Sequence, residues 1–207
     1  MKRFLACLTA AILVLSGSFS FAATTVNVSV RAVVPSTLEL SHWIRYAPPG
    51  GDPYGSGSGD ATSLDFGTLQ WNDEFGIWTA NKYFTVFLVA NSSGRAYRIQ
   101  QSCSGFAMGG SNLNDSLTMS PDYQAADELG GSAQGSMPSG DSLGSSTLAV
   151  GTNKVIYNGN AGLARIVRAY YGLATGAGGD PAGSEPITGD QPSGTYNGTI
   201  TFSVVIQ

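Results

Sequence analysis

The chain is poor in the residues that carry chemistry. Its 207 residues include one histidine, His42, and two cysteines, Cys7 and Cys103, and only 12% are charged. A Ser-His-Asp or Cys-His relay needs an imidazole, and the single one stands beside Trp43 at an expected strand end, where a structural role accounts for it. A zinc site takes three or four Cys or His ligands at fixed spacing, more than Cys103 and His42 supply. No run of Lys or Arg offsets the acidic balance, a formal charge of −4, which argues against nucleic acid and anionic membrane surfaces as partners. Carboxylates are thinly spread. Asp52, Asp60 and Asp65 flank a Gly-rich loop, and Asp73-Glu74 lies between Trp71 and Trp78. Their spacing matches no calcium loop, and turn chemistry accounts for Asp beside Gly. The expectation is a protein that is not an enzyme and uses no cofactor or metal.

Long hydrophobic runs are equally scarce. The one strong run, Phe4 to Leu15, follows Lys2-Arg3 and gives way to Ser20-Phe21-Ala22. It is shorter than the ~20 residues needed to span a bilayer. Basic residues, a short apolar stretch and small residues at −3 and −1 have the form of a secretory signal peptide, so residues 1–22 are expected to be removed and the protein exported. Lys2, Arg3 and Cys7 leave with the leader, so the mature chain has 185 residues, a formal charge of −6 and one cysteine. Cys103 then has no intramolecular partner. It is either a buried small apolar residue or an intermolecular bridge, and no charged sequence neighbour activates it.

What is abundant is Gly, Ser, Thr and Asn, a composition of strands and long turns rather than helices. Val26, Val28, Val30, Ala32 and Val34 alternate with Thr25, Asn27, Ser29 and Arg31, the period of a half-buried strand. Pro35-Ser36 interrupts it, and Thr37 to Leu40 fits a short second strand. Gly and Ser between Pro48 and Asp60 read as a flexible surface loop. Further strands are expected over Ser63–Gln70, Tyr83–Asn91 and Arg95–Ile99. Residues 104–152, rich in Gly and Ser, read as a loop region with one or two short strands. Leu163 to Leu173 fits helical spacing as well as strand alternation; Gly162, Gly172 and the β-rich context favour a strand. Tyr196, Ile200, Phe202, Val204 and Ile206 alternate with Thr199, Thr201 and Ser203, a strand pattern that reaches the end of the sequence. Trp71, Phe75, Trp78, Tyr83 and Phe84 suit core packing, with a sugar-stacking platform as the second reading.

Both ends of the mature chain are thus regular apolar strands with little of the charge or proline that blunts an exposed edge. Four packed valines in Val26–Val34 would contribute on the order of 6–12 kcal/mol before ordering costs, enough to bind another molecule or to serve as the first strand of the chain's own sandwich.

Several short pieces, in order, carry a resemblance: the alternating strand after the leader, Leu64-Asp65-Phe66-Gly67-Thr68-Leu69, the Asn91–Ile99 turn and strand, Tyr171-Gly172-Leu173, and Ser193-Gly194-Thr195-Tyr196-Asn197-Gly198-Thr199-Ile200-Thr201-Phe202-Ser203-Val204. The chain resembles the archaic chaperone-usher pilins and the related spore coat protein U family. That resemblance implies an immunoglobulin-like β-sandwich lacking one strand, completed by a periplasmic chaperone and then by the N-terminal strand of the next subunit. It assigns 23–34 as the donor segment, with Val26, Val28, Val30, Ala32 and Val34 entering the neighbour, and 35–207 as the sandwich. Tyr196, Ile200, Phe202, Val204 and Ile206 would line the acceptor groove. The implied role is a structural subunit of a surface filament or coat, passing through the periplasm to the cell surface. Its partners would be neighbouring subunits, a chaperone and an outer-membrane usher. The chain departs from the family at Ser36 and Asn91, which stand about where a cysteine pair joins the first two core strands, and in having Ala32 rather than glycine as the smallest donor residue. The rival reading is a self-complemented monomeric binding module of lectin type.

Overall fold

A computed structural model describes residues 31–33, 36–125, 135–136, 146–147, 150–161, 165–177 and 180–207. The chain divides into two units, 1–33 and 34–207, and the architecture below is that of the second. The described residues form strands and no α-helix: β1 Glu39–Ala47, β2 Gly59–Ala61, β3 Gln70–Asn72, β4 Ile77–Thr79, β5 Tyr83–Asn91, β6 Tyr97–Cys103, β7 Ala107–Met108, β8 Ser111–Asn112, β9 Leu117–Ala125, β10 Gly135–Ser136, β11 Ser146–Thr147, β12 Lys154–Gly159, β13 Arg165–Leu173, β14 Ile187–Thr188 and β15 Ile200–Ile206. A six-stranded sheet runs β11-β9-β13-β5-β1-β2 and a four-stranded sheet runs β10-β12-β6-β15, with antiparallel pairing throughout. A small sheet β14-β4-β3 and the hairpin β7-β8 complete the fold.

The protein is all-β, and its two larger sheets pack as a β-sandwich. Period-two alternation decides which side chains enter the core. On β5, Phe84, Val86, Leu88 and Ala90 are buried in one cluster with Val167, Ala169 and Tyr171 of β13, Leu117 and Met119 of β9, Tyr97, Ile99 and Cys103 of β6, and Ile156 and Tyr157 of β12. Cys103 is therefore a buried core residue, and burial pushes its thiol up from the ordinary range. Gln101 of β6 also points inward, accepting a hydrogen bond at Oε1 from the buried Tyr171 hydroxyl, while its Nε2 has no partner among the described residues. Desolvation, reinforced by Cys103, holds the Tyr171 phenol well above its usual range.

Tyr83–Asn91 forms the expected strand in full, and Arg165–Leu173 is a strand rather than a helix: Val167, Ala169 and Tyr171 point inward at period two while Arg168 and Tyr170 do not. Three expectations change. The strand expected over Ser63–Gln70 is absent, because Asp65 Oδ1 accepts the Gly67 N–H at 2.8 Å and Gly67 has φ +70°, so the chain turns where extension was expected. Leu64, Phe66 and Leu69 still reach the core. Residues 104–152 contain a nine-residue strand, β9, paired along its whole length with β13; Gly and Ser around it mask the alternation of Leu117 and Met119. The strand expected at Thr37–Leu40 instead starts at Glu39 and runs nine residues to Ala47, because Ile44 and Tyr46 continue the inward alternation of Leu40.

The Gly-rich stretch after Pro48 is fastened to the outer face of the six-stranded sheet. Tyr83 Oη donates to Gly51 O at 2.6 Å, and Arg45 Nε donates to Pro53 O at 2.7 Å. Pro53 is buried as a result.

Candidate functional site

β15 is an edge strand. It pairs with β6 from Ile200↔Cys103 to Ile206↔Tyr97, and among the described residues no strand lies on its other side. Gln207 N–H donates to Ala96 O and Ser104 N–H donates to Thr199 O, each at 3.0 Å. Odd-numbered residues therefore turn their backbone groups toward β6. Alternation in an antiparallel pair then turns the N–H and C=O of Ile200, Phe202, Val204 and Ile206 toward the open edge. These same four residues direct their side chains at the core, yet each is only half-buried.

A second strand shows the same half-burial. β1 approaches β15 at one side of the sandwich, and its inward residues Leu40, Ile44 and Tyr46 are half-buried while His42 is exposed. His42 lies opposite Leu88, which is fully buried, so the imidazole stands on the core side of the sheet. β2 covers the outer edge of β1 only at Ile44, Arg45 and Tyr46. The result is an apolar seam with β15 as one wall and the inner face of β1 as the other. It presents aliphatic and aromatic side chains together with a row of backbone donors and acceptors that no strand pairs among the described residues. In general, an extended peptide adds to an open sheet edge with its backbone giving affinity and its alternate side chains giving specificity.

Of the acceptor residues expected from sequence, Ile200, Phe202, Val204 and Ile206 lie together in the seam, with Phe202 edge-on to Tyr171 at 6.4 Å. Tyr196 lies before the strand: its ring meets Phe106 at 6.2 Å and its hydroxyl donates to Pro192 O at 2.7 Å. Two glycines allow that turn to form, since a Cβ on Gly194 would meet Met108 Sδ at 1.9 Å and one on Gly198 would meet Gly105 O at 2.0 Å. On the donor side, Val26, Val28, Val30 and Val34 lie outside the described residues, and Ala32 is exposed and in no regular element. The second wall, Leu40, Ile44 and Tyr46, is absent from the sequence-based site. Its signal was the continued alternation through β1.

Near Ser36 and Asn91, polar groups fasten the segment before β1 to the β5–β6 turn. Thr37 N–H donates to Ser93 Oγ at 2.8 Å, Asn91 Nδ2 donates to Thr37 Oγ1 at 3.1 Å, and Arg95 Nη2 donates to Thr37 O at 3.2 Å. Ser93 holds φ 51°, the left-handed conformation that closes this turn. The aromatic residues considered as one platform do not form one. Phe84 is in the core and Tyr83 on the outer face, while Trp71 and Trp78 pack edge-on at 5.3 Å across β3 and β4 of the small sheet.

These are the features of an all-β protein with an incompletely covered core. No protein-family model matches the chain and no curated protein is significantly similar to it.

Proposed function

We propose that this chain is an exported structural subunit of a bacterial surface filament or coat, an immunoglobulin-like sandwich one strand short, assembled when residues 23–34 of one copy enter the seam of the next. The observation that carries the reading is the coincidence in β15 of open backbone groups with half-buried, core-directed Ile200, Phe202, Val204 and Ile206. An unpaired apolar edge in water is a liability that natural sheets blunt, and a strand-binding role accounts for its retention. A donor alternating Val26, Val28, Val30, Ala32 and Val34 supplies apolar groups at the matching period. Burying four valines is worth on the order of 6–12 kcal/mol before ordering costs. Before assembly the seam needs a temporary occupant, the part a periplasmic chaperone would play ahead of an usher. The role is mechanical, with no catalytic group invoked.

Electron microscopy and size-exclusion chromatography of the purified mature protein test this. Filaments or strand-exchanged oligomers are expected, dissociating on addition of a synthetic peptide of residues 24–34 or resisting it only kinetically. A stable monomer whose size and stability are indifferent to the peptide would show that the first strand closes its own sandwich, as in the lectin-like reading.

A further inference from the structure

A second surface is built on the face of the six-stranded sheet turned away from the core. Trp43 of β1 and Phe87 of β5 are cross-strand neighbours whose rings stack at 4.9 Å and 1°. Phe87 is 1% exposed and Trp43 37%. One indole face is thus taken by Phe87. On the other side β2 pairs with β1 only from Ile44 to Tyr46, so no strand residue stands across from Trp43 there. Trp43 is thus accessible to solvent at this corner of the sheet. Tyr54, 60% exposed, lies 5.5 Å from the Phe87 ring, with the Arg45 guanidinium 4.8 Å above its own ring. Arg45 Nη1 pairs with Asp60 Oδ1 at 2.8 Å, leaving Asp60 Oδ2 and Arg45 Nη2 without hydrogen bonds among the described residues. Asp60 has a side chain 85% exposed.

From this corner we infer a binding site for a neutral saccharide. The C–H face of a pyranose stacks on the free side of Trp43, Tyr54 borders the ring, and adjacent hydroxyls donate to Asp60 Oδ2 and accept from Arg45 Nη2. An acceptor and a donor held side by side suit vicinal hydroxyls. The carboxylate disfavours an acidic sugar. Two rings and one ion pair match one or two sugar units, whereas a protein face takes about 20–30 residues a side. The site is preformed, because Arg45 and Tyr83 tie the 48–58 loop to the sheet, which reduces the ordering cost of binding. Its side chains point away from the seam, so it operates whether or not the chain assembles.

The test is titration of the full mature chain with methyl glycosides and short oligosaccharides of glucose, mannose, galactose and N-acetylglucosamine, followed by calorimetry and tryptophan fluorescence. Saturable binding of at least one is expected, weakened at least about tenfold by Trp43→Ala and clearly weakened by Asp60→Ala, with Trp71→Phe unchanged. Asp60 is so exposed that its variant keeps the test valid should Trp43→Ala misfold. Absence of binding by every probe overturns the proposal, as does binding that both variants leave intact. Loss of self-association in Trp43→Ala without any sugar binding would identify the corner as a contact between copies and equally overturn it. Assembly through the seam should be normal in both variants, which separates this site from the filament reading.

Discussion

β6 and β15 lie side by side in one sheet, and both turn every second side chain toward the core, but these inward residues differ in burial. Tyr97, Ile99, Gln101 and Cys103 of β6 are at most 4% exposed, while Ile200, Phe202, Val204 and Ile206 of β15 are only half-buried. Among the described residues β6 has a strand on each side, β12 and β15, and β15 has one. The inward side chains of a strand are covered partly by the facing sheet and partly by those of the strands beside it. Losing a lateral neighbour therefore uncovers a row of core residues and a row of backbone groups together. Strand addition would restore both at once.

The largest effect that would break this comparison is a charge in the donor. An unpaired buried carboxylate costs several kcal/mol, whereas a surface substitution stays within roughly 0.5 kcal/mol. Val30→Asp should abolish polymerisation and Ser29→Asp should leave it nearly intact, read by electron microscopy and sedimentation. Equal assembly by the two variants would remove the alternation argument.

Folding energetics sharpen it next. Ile99→Ala should cost about 2–5 kcal/mol in denaturant unfolding of the unassembled subunit. Ile200→Ala, the same deletion one strand over, should cost less than about half as much there and recover the difference only in the assembled state. Equal losses in the unassembled subunit would mean that the seam is already filled.

Alkaline pH probes the closed side alone. The Tyr171 phenol is held well above its usual range by burial, so the fold favours its neutral form. Its contribution is fully present below the unfolded-state value of about 10 and is lost as pH rises above it toward the higher folded value. The urea midpoint should fall above about pH 10, and less steeply in Tyr171→Phe. At neutral pH that variant should be about 1–3 kcal/mol less stable, because Gln101 loses its one side-chain partner. An unchanged pH slope would refute the assignment.

The smallest effect is expected at Cys103. Cys103→Ser should preserve export and assembly, with a stability loss of about 1–3 kcal/mol from placing a hydroxyl in an apolar site. A covalent dimer on non-reducing electrophoresis of native filaments would contradict its burial.

Much of the sandwich was legible from alternation. Ile200, Phe202, Val204 and Ile206 recur at period two, and Tyr83 to Ala90 is a nearly continuous apolar run; extended backbone sends Phe84, Val86, Leu88 and Ala90 into the core and leaves Tyr83 and Phe87 on the outer face. The pattern failed where local hydrogen bonding outweighed it, as in the Asp65–Gly67 turn, and where Gly and Ser diluted it, as around β9. The core-directed side of β15 was visible for the same reason that the strand was; that β1 lies beside it was not, because the alternation of Leu40, Ile44 and Tyr46 does not state which strand lies across from them.

The sequence by itself determined which side of each strand is apolar, because side-chain direction follows from backbone geometry one residue at a time. It did not determine which strands have neighbours on both sides, nor that Trp43, Tyr54, Arg45 and Asp60 meet at one corner. Those depend on pairings between residues far apart in the chain, such as Trp43 with Phe87 and Ile200 with Cys103, whose register is set by the whole sheet. Tertiary structure alone decided that β6 is flanked on both sides and that, among the described residues, β15 is flanked on one.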